Sequence, residues 1–222
     1  MRRRHLTAAL AMVALPTWLR AAPSESDAAA GVRAALERGA LAAVQLLGRA
    51  DGFLGDARVR IALPENLERV AKLMRATGQG KRVDELVTAM NRAAEAAVPE
   101  ARTLFVSTVK QMSVEDALSV VRGGPTSVTE YFSGKTRLPL GERFLPIVTQ
   151  APEKVKLADR YNQVSARAAG MGLLRGDVLT VQQHVTERAL DGLFFMIGED
   201  EKKIRADPLK SGSAILRKVF GS

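Results

Sequence analysis

The chain lacks cysteine and contains few residues of the types that most often carry out chemistry. It has no cysteine, two histidines and 5% aromatic residues. The absence of cysteine excludes disulfides, thiolate catalysis, cysteine-ligated zinc, iron–sulfur clusters and a lipidated N-terminal cysteine. Two histidines, His5 and His184, cannot build a histidine-rich metal site, and we expect His184 to be either hydrogen-bonded or exposed. The sequence therefore predicts a protein with no metal and no other cofactor.

The scarcity of aromatic residues also restricts the core. Of the 222 residues, 46% are hydrophobic and 26% are charged, which is the composition of a globular protein. The core must then be built from Leu, Val, Ile, Met and much Ala, which suits closely packed helices. The length favours one domain.

The first residues have the layout of a cleavable export signal. A basic start precedes an apolar stretch from Leu6 to Leu15, and small residues follow at Ala21 and Ala22. The stretch is too short to span a bilayer. Because Pro23 would directly follow a cut after Ala22, we expect cleavage after Ala21. The mature protein, residues 22–222, is then expected in the periplasm.

Two export routes agree with this segment. Arg3-Arg4-His5-Leu6 resembles the twin-arginine pattern, and Arg20 near the cut discourages the general secretory route. Thr7 departs from the usual leucine of that pattern, so a general secretory signal with chance arginines stays open.

The positive charge does not indicate a nucleic-acid partner. Loss of residues 1–21 takes four arginines and no acid from a chain of net charge +9, which leaves +5. The remaining basic residues are scattered among acids, without interleaved aromatic residues. We therefore expect no nucleic-acid partner. We also expect no transmembrane segment in the mature chain, because no later stretch is long and apolar enough.

Apolar residues recur at helical spacing through most of the mature chain. Turns rich in glycine and proline separate the periodic segments. Ser113 has the pattern of an N-cap with Asp116 at the third helical position. The expected helices cover about 27–47, 64–77, 83–97, 99–112, 117–121, 126–132, 141–149, 152–169, 177–206 and 213–220. The predicted fold is an all-α, single-domain multi-helix bundle.

Two details qualify this all-α prediction. Val59, Ile61 and Leu63 alternate with other residues at the period of a strand, so at most one short β ribbon is expected near residues 58–63. Near the end of the longest helix, Glu201 precedes Arg205 by four residues, a spacing that suits an exposed final turn.

A run of short motifs extends over most of the mature chain. In order, the motifs are Leu63-Pro64; Met90-Asn91-Arg92-Ala93-Ala94-Glu95 with Ala97; Asp116-Ala117; Thr129 with Tyr131-Phe132; Phe144 with Pro146; Asp177; Val185-Thr186; Ala189-Leu190-Asp191-Gly192-Leu193-Phe194; Ile204-Arg205 with Asp207-Pro208; and Val219-Phe220-Gly221. This run resembles the bacterial domain-of-unknown-function family numbered 4197. The resemblance implies an exported helical envelope protein, with no established activity to carry over.

The chain departs from the family pattern in a few places. Ser127-Val128 stands where two alanines are usual, and His184 where tyrosine is usual. Ile215 and Arg217 replace leucine and lysine. These are conservative changes, although a role for an aromatic ring at position 184 would be in doubt.

Polar residues interrupt an alanine-rich helix at Asn91, Arg92 and Glu95. At about 100° per residue, Asn91 and Glu95 share the face opposite Met90 and are flanked mainly by alanines. Such a thin helix can be approached closely from several sides. We therefore expect Glu95 to be mostly buried and to contact an arginine, with Arg205 the first choice and Arg92 the local alternative. Asn91 is expected to bond to a neighbouring segment.

Three classes of function remain open. No Ser-His-Asp set is credible with one mature histidine, and catalysis would have to use carboxylates, as in glycan cleavage. The candidate carboxylates are Glu95, Asp116, Glu130, Asp191 and Glu201. The preferred hypothesis is a non-catalytic envelope protein that binds a small ligand; the alternatives are a structural or partner-binding envelope protein and, less favoured, a hydrolase.

No catalytic residue is assigned, and the candidate binding residues form a polar set. They are Asn91, Arg92, Glu95, Thr129, Tyr131 and Arg205. The partner is an unidentified small molecule or an envelope protein, and the sequence does not specify the oligomeric state.

Overall fold

A computed structural model describes residues 24–150, 163–164, 166, 170–172 and 180–207, with only the backbone described for Asn66. The expected signal segment and the expected helix at 213–220 lie outside the described residues, as does most of the expected helix at 152–169.

The described residues form an all-α bundle. The helices are α1 (Glu25–Leu47), α2 (Glu65–Ala76), α3 (Gly80–Ala97), α4 (Ala101–Gln111), α5 (Val114–Arg122), α6 (Ser127–Gln150) and α7 (Val181–Ala206). A short 3-10 turn, Val98–Glu100, joins α3 to α4 and contains Pro99. The predicted all-α class is confirmed.

The strand pattern near residues 58–63 belongs to a buried loop. Val59, Ile61 and Leu63 are all buried, as their alternation suggests, but none of the described residues lies in a strand. The side chain of Asn91 accepts from the Ile61 N–H and donates to the Ile61 C=O, both at 2.9 Å. The Asn91 carboxamide therefore bonds to the Ile61 backbone as a neighbouring strand would. The short β ribbon that the pattern allowed does not form among the described residues.

Capping boxes define the starts of three helices. The side chains of Ser24, Ser113 and Thr180 each accept the N–H of the third helical residue. The side chain of that third residue in turn accepts the backbone N–H of the capping residue. These reciprocal bonds satisfy N–H groups that have no partner inside the helix. The cap predicted at Ser113 is confirmed.

Helix α6 is continuous where the sequence predicts two helices. Pro139 and Pro146 lie inside it, although an internal proline removes one helical hydrogen bond. Every fourth residue is buried, in the series Val128, Phe132, Thr136, Leu140, Phe144 and Val148. This stripe gives α6 its most extensive contact, which is with α7. Tertiary packing of the stripe outweighs the local cost of the prolines, so the predicted separate helices over 126–132 and 141–149 are wrong.

Three of the aromatic residues pack together in the core. Phe105 of α4 packs edge-on against Phe132 of α6 and Phe194 of α7, with ring centroids 5.1 and 6.3 Å apart. Helix α3 contacts α2, α6 and α7, and α1 contacts α4, α5 and α7. Among the described helices, none combines the length and hydropathy that a membrane span requires.

Candidate functional site

The structure places five of the six residues of the predicted polar set in two groups. Asn91, Arg92 and Glu95 lie on α3 against the loop that joins α1 to α2, and these residues are called the loop clamp here. Thr129 and Arg205 lie where α5, α6 and α7 meet. Together with Ser127 and Glu201 they are called the helix junction.

Glu95 holds the loop through backbone amides. Its side chain is buried, with 5% exposed. Its Oε1 accepts the N–H of Phe53 at 3.1 Å and that of Leu54 at 3.3 Å. Its Oε2 receives Arg92 Nη1 at 2.6 Å. Two amides and one guanidinium thus compensate a carboxylate that would be costly to bury alone.

Arg92 links the same carboxylate to the loop a second time. Its Nη2 reaches Asp51 Oδ1 at 2.7 Å, and Asp51 has a left-handed backbone with φ of 62°. Aspartate tolerates this conformation better than most residues. The guanidinium therefore bridges Glu95, which is buried, and Asp51, which is exposed.

The predicted burial of Glu95 is confirmed, and so is its contact with an arginine. The arginine is Arg92, the local alternative; the first choice, Arg205, is wrong because its guanidinium contacts Glu201 on its own helix. Asn91 bonds to Ile61 as expected and also donates to the Val87 carbonyl at 2.7 Å.

The clamp fixes an aromatic ring against α7. A Cβ atom at Gly192 would lie 2.7 Å from the Phe53 ring, so glycine is needed there for α7 to approach the loop. The N–H of Phe53 is bound by Glu95. Gly192 and Glu95, which come from two different sequence motifs, therefore both determine the position of Phe53. Gly192 leaves room for its ring, and Glu95 binds its backbone N–H.

His184 secures the same loop at a third point. It is buried, and its Nε2 lies 3.0 Å from the Ala62 carbonyl oxygen. A carbonyl can only accept, so Nε2 carries the proton. Burial lowers the pKa of His184 below its ordinary value, and the bond to Ala62 opposes that change. His184 is thus a hydrogen-bonded core residue, one of the two states expected for it.

At the helix junction, Glu201 caps the start of α6. It is buried, with 4% exposed, and it accepts the N–H groups of Val128 and Thr129 at 3.0 and 3.1 Å. The Thr129 hydroxyl donates to it at 2.9 Å. The first amides of a helix lack partners and carry partial positive charge, so a carboxylate from α7 stabilises the first turn of α6.

Arg205 caps the end of α5 in a complementary way. Its Nε binds Glu201 at 3.0 Å. Its terminal nitrogens donate to the carbonyls of Val120 and Val121, at 3.0 and 3.3 Å, and to Ser127 Oγ at 2.6 Å. The last carbonyls of a helix carry partial negative charge. The expectation of an exposed final turn around Glu201 and Arg205 is wrong, because α5 and α6 cover it.

Tyr131 stands apart from both groups. It is half-buried, and its ring centroid lies 6.2 Å from that of Phe132. Burial, assisted by the negative charge of Asp116, raises the pKa of its hydroxyl. These contacts describe a packing role.

The other candidate carboxylates also have partners within the protein. Asp116 completes the capping box with Ser113, and Glu130 receives the Thr126 hydroxyl at 2.8 Å. Asp191 pairs with Arg137 at 2.6 Å and with Arg188 at 3.3 Å. No cluster of three potential metal ligands of the His, Asp or Glu type occurs within the part of the chain that the structure describes.

A narrow groove lies beside the helix junction, between α1, α5 and α7, and is called the α1–α5–α7 groove. Its cavity volume is about 40 Å³, and the space rises to about 480 Å³ when the solvent-open mouth is included. Its walls are apolar, with Leu36, Val121 and Ile204 among them, and its charged lining residues are Asp200, Glu201 and Arg205. The sequence contains no signal for this groove, because its lining residues come from separate helices, with Val128 of α6 added to those of α1, α5 and α7.

The protein is thus an all-α bundle in which two buried glutamates fasten backbone amides, with an apolar groove next to one of them. A family described as "Protein of unknown function (DUF4197)" matches residues 22–221, and the chain belongs to this family. The resemblance noted from the sequence motifs is confirmed. No curated protein and no solved structure matches the chain.

Proposed function

We propose that this chain is an exported envelope protein that binds a small, elongated and mostly apolar molecule in the α1–α5–α7 groove. The groove itself is the observation that carries this proposal. Small-molecule sites are concave and mostly apolar, with a few polar groups that orient the ligand. The apolar walls and three charged residues of the groove have this composition.

The dimensions of the groove favour one class of ligand. Its enclosed part admits little more than a few water-sized spheres. A single unbranched hydrocarbon chain can enter such a slot, whereas a fused ring system would require α1 and α7 to separate. The helix junction supports one wall, because Arg205 ties α7 to the end of α5.

Binding is tested with decanol below its aggregation concentration, by titration calorimetry on the mature protein. Val121 is half-buried on α5 and lines the groove, so Val121→Phe should fill the slot and weaken binding at least about tenfold. Val114→Phe is the matched control, since Val114 is a half-buried α5 residue outside the groove lining. Equal binding by both variants, or no binding by the parent, would contradict the proposal.

The proposed location is the periplasm, after removal of residues 1–21. The basic start, the short apolar stretch and the small residues before the cut support it, and the family match begins at residue 22. Intact-mass measurement on periplasmic protein should give a chain that starts at Ala22. Replacement of Arg3 and Arg4 by lysine should stop export by the twin-arginine route, and unchanged export would favour the general secretory route.

The alternative functions have weaker support. A partner-binding role would use exposed apolar residues such as Leu138 and Leu145 of α6, which are 83% and 39% exposed, but isolated exposed leucines are ordinary on protein surfaces. A hydrolase would need free carboxylates, and the candidates Glu95, Asp191 and Glu201 are held by arginines.

A further inference from the structure

The charges at the mouth of the α1–α5–α7 groove are not balanced. Glu201 and Arg205 form an ion pair and are further satisfied by backbone and hydroxyl groups. Asp200 is half-buried and lines the same groove. None of the described residues donates a hydrogen bond to its carboxylate or forms an ion pair with it. Among the residues that the structure describes, the groove thus presents one carboxylate without an ion-pair partner beside apolar walls.

Gly39 of α1 determines where the Asp200 carboxylate lies. A Cβ atom at position 39 would be 2.8 Å from Asp200 Oδ2, so a larger residue would displace that oxygen. With glycine, the carboxylate lies directly over the α1 backbone at the edge of the groove. The carboxylate is therefore held between α1 and α7, at the place where a ligand in the groove would pass.

The other charged residues near Asp200 on α7 are paired or exposed. Asp200 lies six residues before the end of α7 at Ala206, so the partial negative charge of the helix end, which acts within the last turn, adds little to its own charge. Lys202 is paired with Glu199 at 2.9 Å, and Lys203 is exposed to solvent. A cation in the groove would therefore meet the Asp200 carboxylate as the main negative charge.

We propose that Asp200 selects ligands that carry a cationic group, such as a primary amine, on a single hydrocarbon chain. The chain would lie between Leu36 and Val121, and the amine would donate to the Asp200 carboxylate. The inference rests on the proposed function, because it assigns the head group of a ligand whose apolar part occupies the groove. A carboxylate or phosphate head group would be repelled at the same place.

The test compares decylamine, decanol and decanoate on the mature protein by titration calorimetry, below the aggregation concentration of each compound. Decylamine should bind about five- to tenfold more tightly than decanol, the range for one partly solvated charge pair, and decanoate more weakly than both. Asp200→Asn should abolish the preference for the amine over decanol. Glu199→Gln, which removes a half-buried carboxylate from the same turn outside the groove, should keep the preference.

A second variant tests the geometry without removing the charge. Gly39→Ala should fold, because alanine favours helix and only the flexible end of Asp200 must move. It should reduce the preference for decylamine about threefold or more by displacing the carboxylate. An unchanged preference in both Gly39→Ala and Asp200→Asn would overturn the assignment of Asp200.

The outcomes separate the two proposals. If the three compounds bind equally and Val121→Phe weakens all of them, the groove binds apolar chains and the assignment of Asp200 is wrong. If none binds, both proposals fail. If sedimentation shows a dimer that Val121→Phe dissociates, a second copy of this chain occupies the groove, and the small-ligand proposals are likewise wrong.

Discussion

The loop clamp and the helix junction each compensate a buried glutamate carboxylate, but the two regions differ in what that carboxylate holds in place. In each, a buried glutamate accepts two backbone N–H groups and pairs with an arginine on its own helix. Arg92 precedes Glu95 by three residues, whereas Arg205 follows Glu201 by four. The amides bound by Glu95 belong to a loop, and those bound by Glu201 begin a helix.

The two arginines also differ in how far their side chains are exposed to solvent. The Arg92 side chain is 35% exposed and its second partner is the exposed Asp51, whereas the Arg205 side chain is 18% exposed and reaches helix-end carbonyls. When Arg92 is removed, water can replace part of its hydrogen bonding to Glu95 and Asp51. Water can replace little of the hydrogen bonding of Arg205, because that side chain is less exposed. The helix junction is therefore expected to contribute more to stability, and the loop clamp to control one local segment.

The largest effect is expected from Glu201→Ala. This change leaves Arg205 and the first amides of α6 without their acceptor, and it should lower the free energy of unfolding by about 4 kcal/mol. Urea denaturation measures the change, and hydrogen exchange should accelerate at Val128 and Thr129. Glu187→Ala, at an exposed glutamate of the same helix, is the control. A Glu201→Ala protein as stable as this control would contradict the comparison.

Glu95→Ala should have the next largest effect, about 3 kcal/mol, because Arg92 can still turn to solvent and to Asp51. Hydrogen exchange should accelerate at Phe53 and Leu54 and stay unchanged at the start of α6. The exposed Glu100 provides a neutral comparison as Glu100→Ala. If melting matched the parent, the buried pair would not contribute to stability.

The two arginines should differ from each other. Arg205→Ala removes a poorly hydrated guanidinium from Glu201 and from two carbonyls, and should cost about 3 kcal/mol. Arg92→Ala removes a guanidinium that is one-third exposed, and should cost about 1 kcal/mol after solvent screening. Chemical denaturation of both variants checks the order; equal losses would show that exposure does not distinguish the two regions.

The smallest effect is a pH dependence that belongs to the loop region alone. Burial lowers the pKa of His184 from its ordinary 6.5, so below that pH the unfolded chain binds a proton that the folded chain resists. Stability should therefore fall as pH decreases below about 6.5. His184→Gln, in which the amide can still donate to Ala62, should remove this slope between about pH 5.5 and 8. An identical slope in the variant would assign it to other groups.

Predictions that depend on residues of a single helix are correct. The burial of Glu95 follows from the alanines around it, and the cap at Ser113 from its spacing to Asp116. Predictions that depend on contacts with a second helix are wrong. The sequence pattern favours Arg205 as the partner of Glu95 and predicts an exposed final turn of α7, because the local pattern of α7 shows neither α5 nor the N-terminus of α6.

Apolar periodicity and composition were sufficient to determine an all-α bundle, because each helix must bury its own stripe whatever its neighbours are. Only the tertiary structure decided that α6 runs through Pro139 and Pro146, and that Asn91 replaces a strand beside Ile61. It also decided that Asp200 faces a groove opposite Gly39. These outcomes depend on atoms contributed by distant segments, and the free energy of such contacts exceeds the local preferences from which sequence patterns are interpreted.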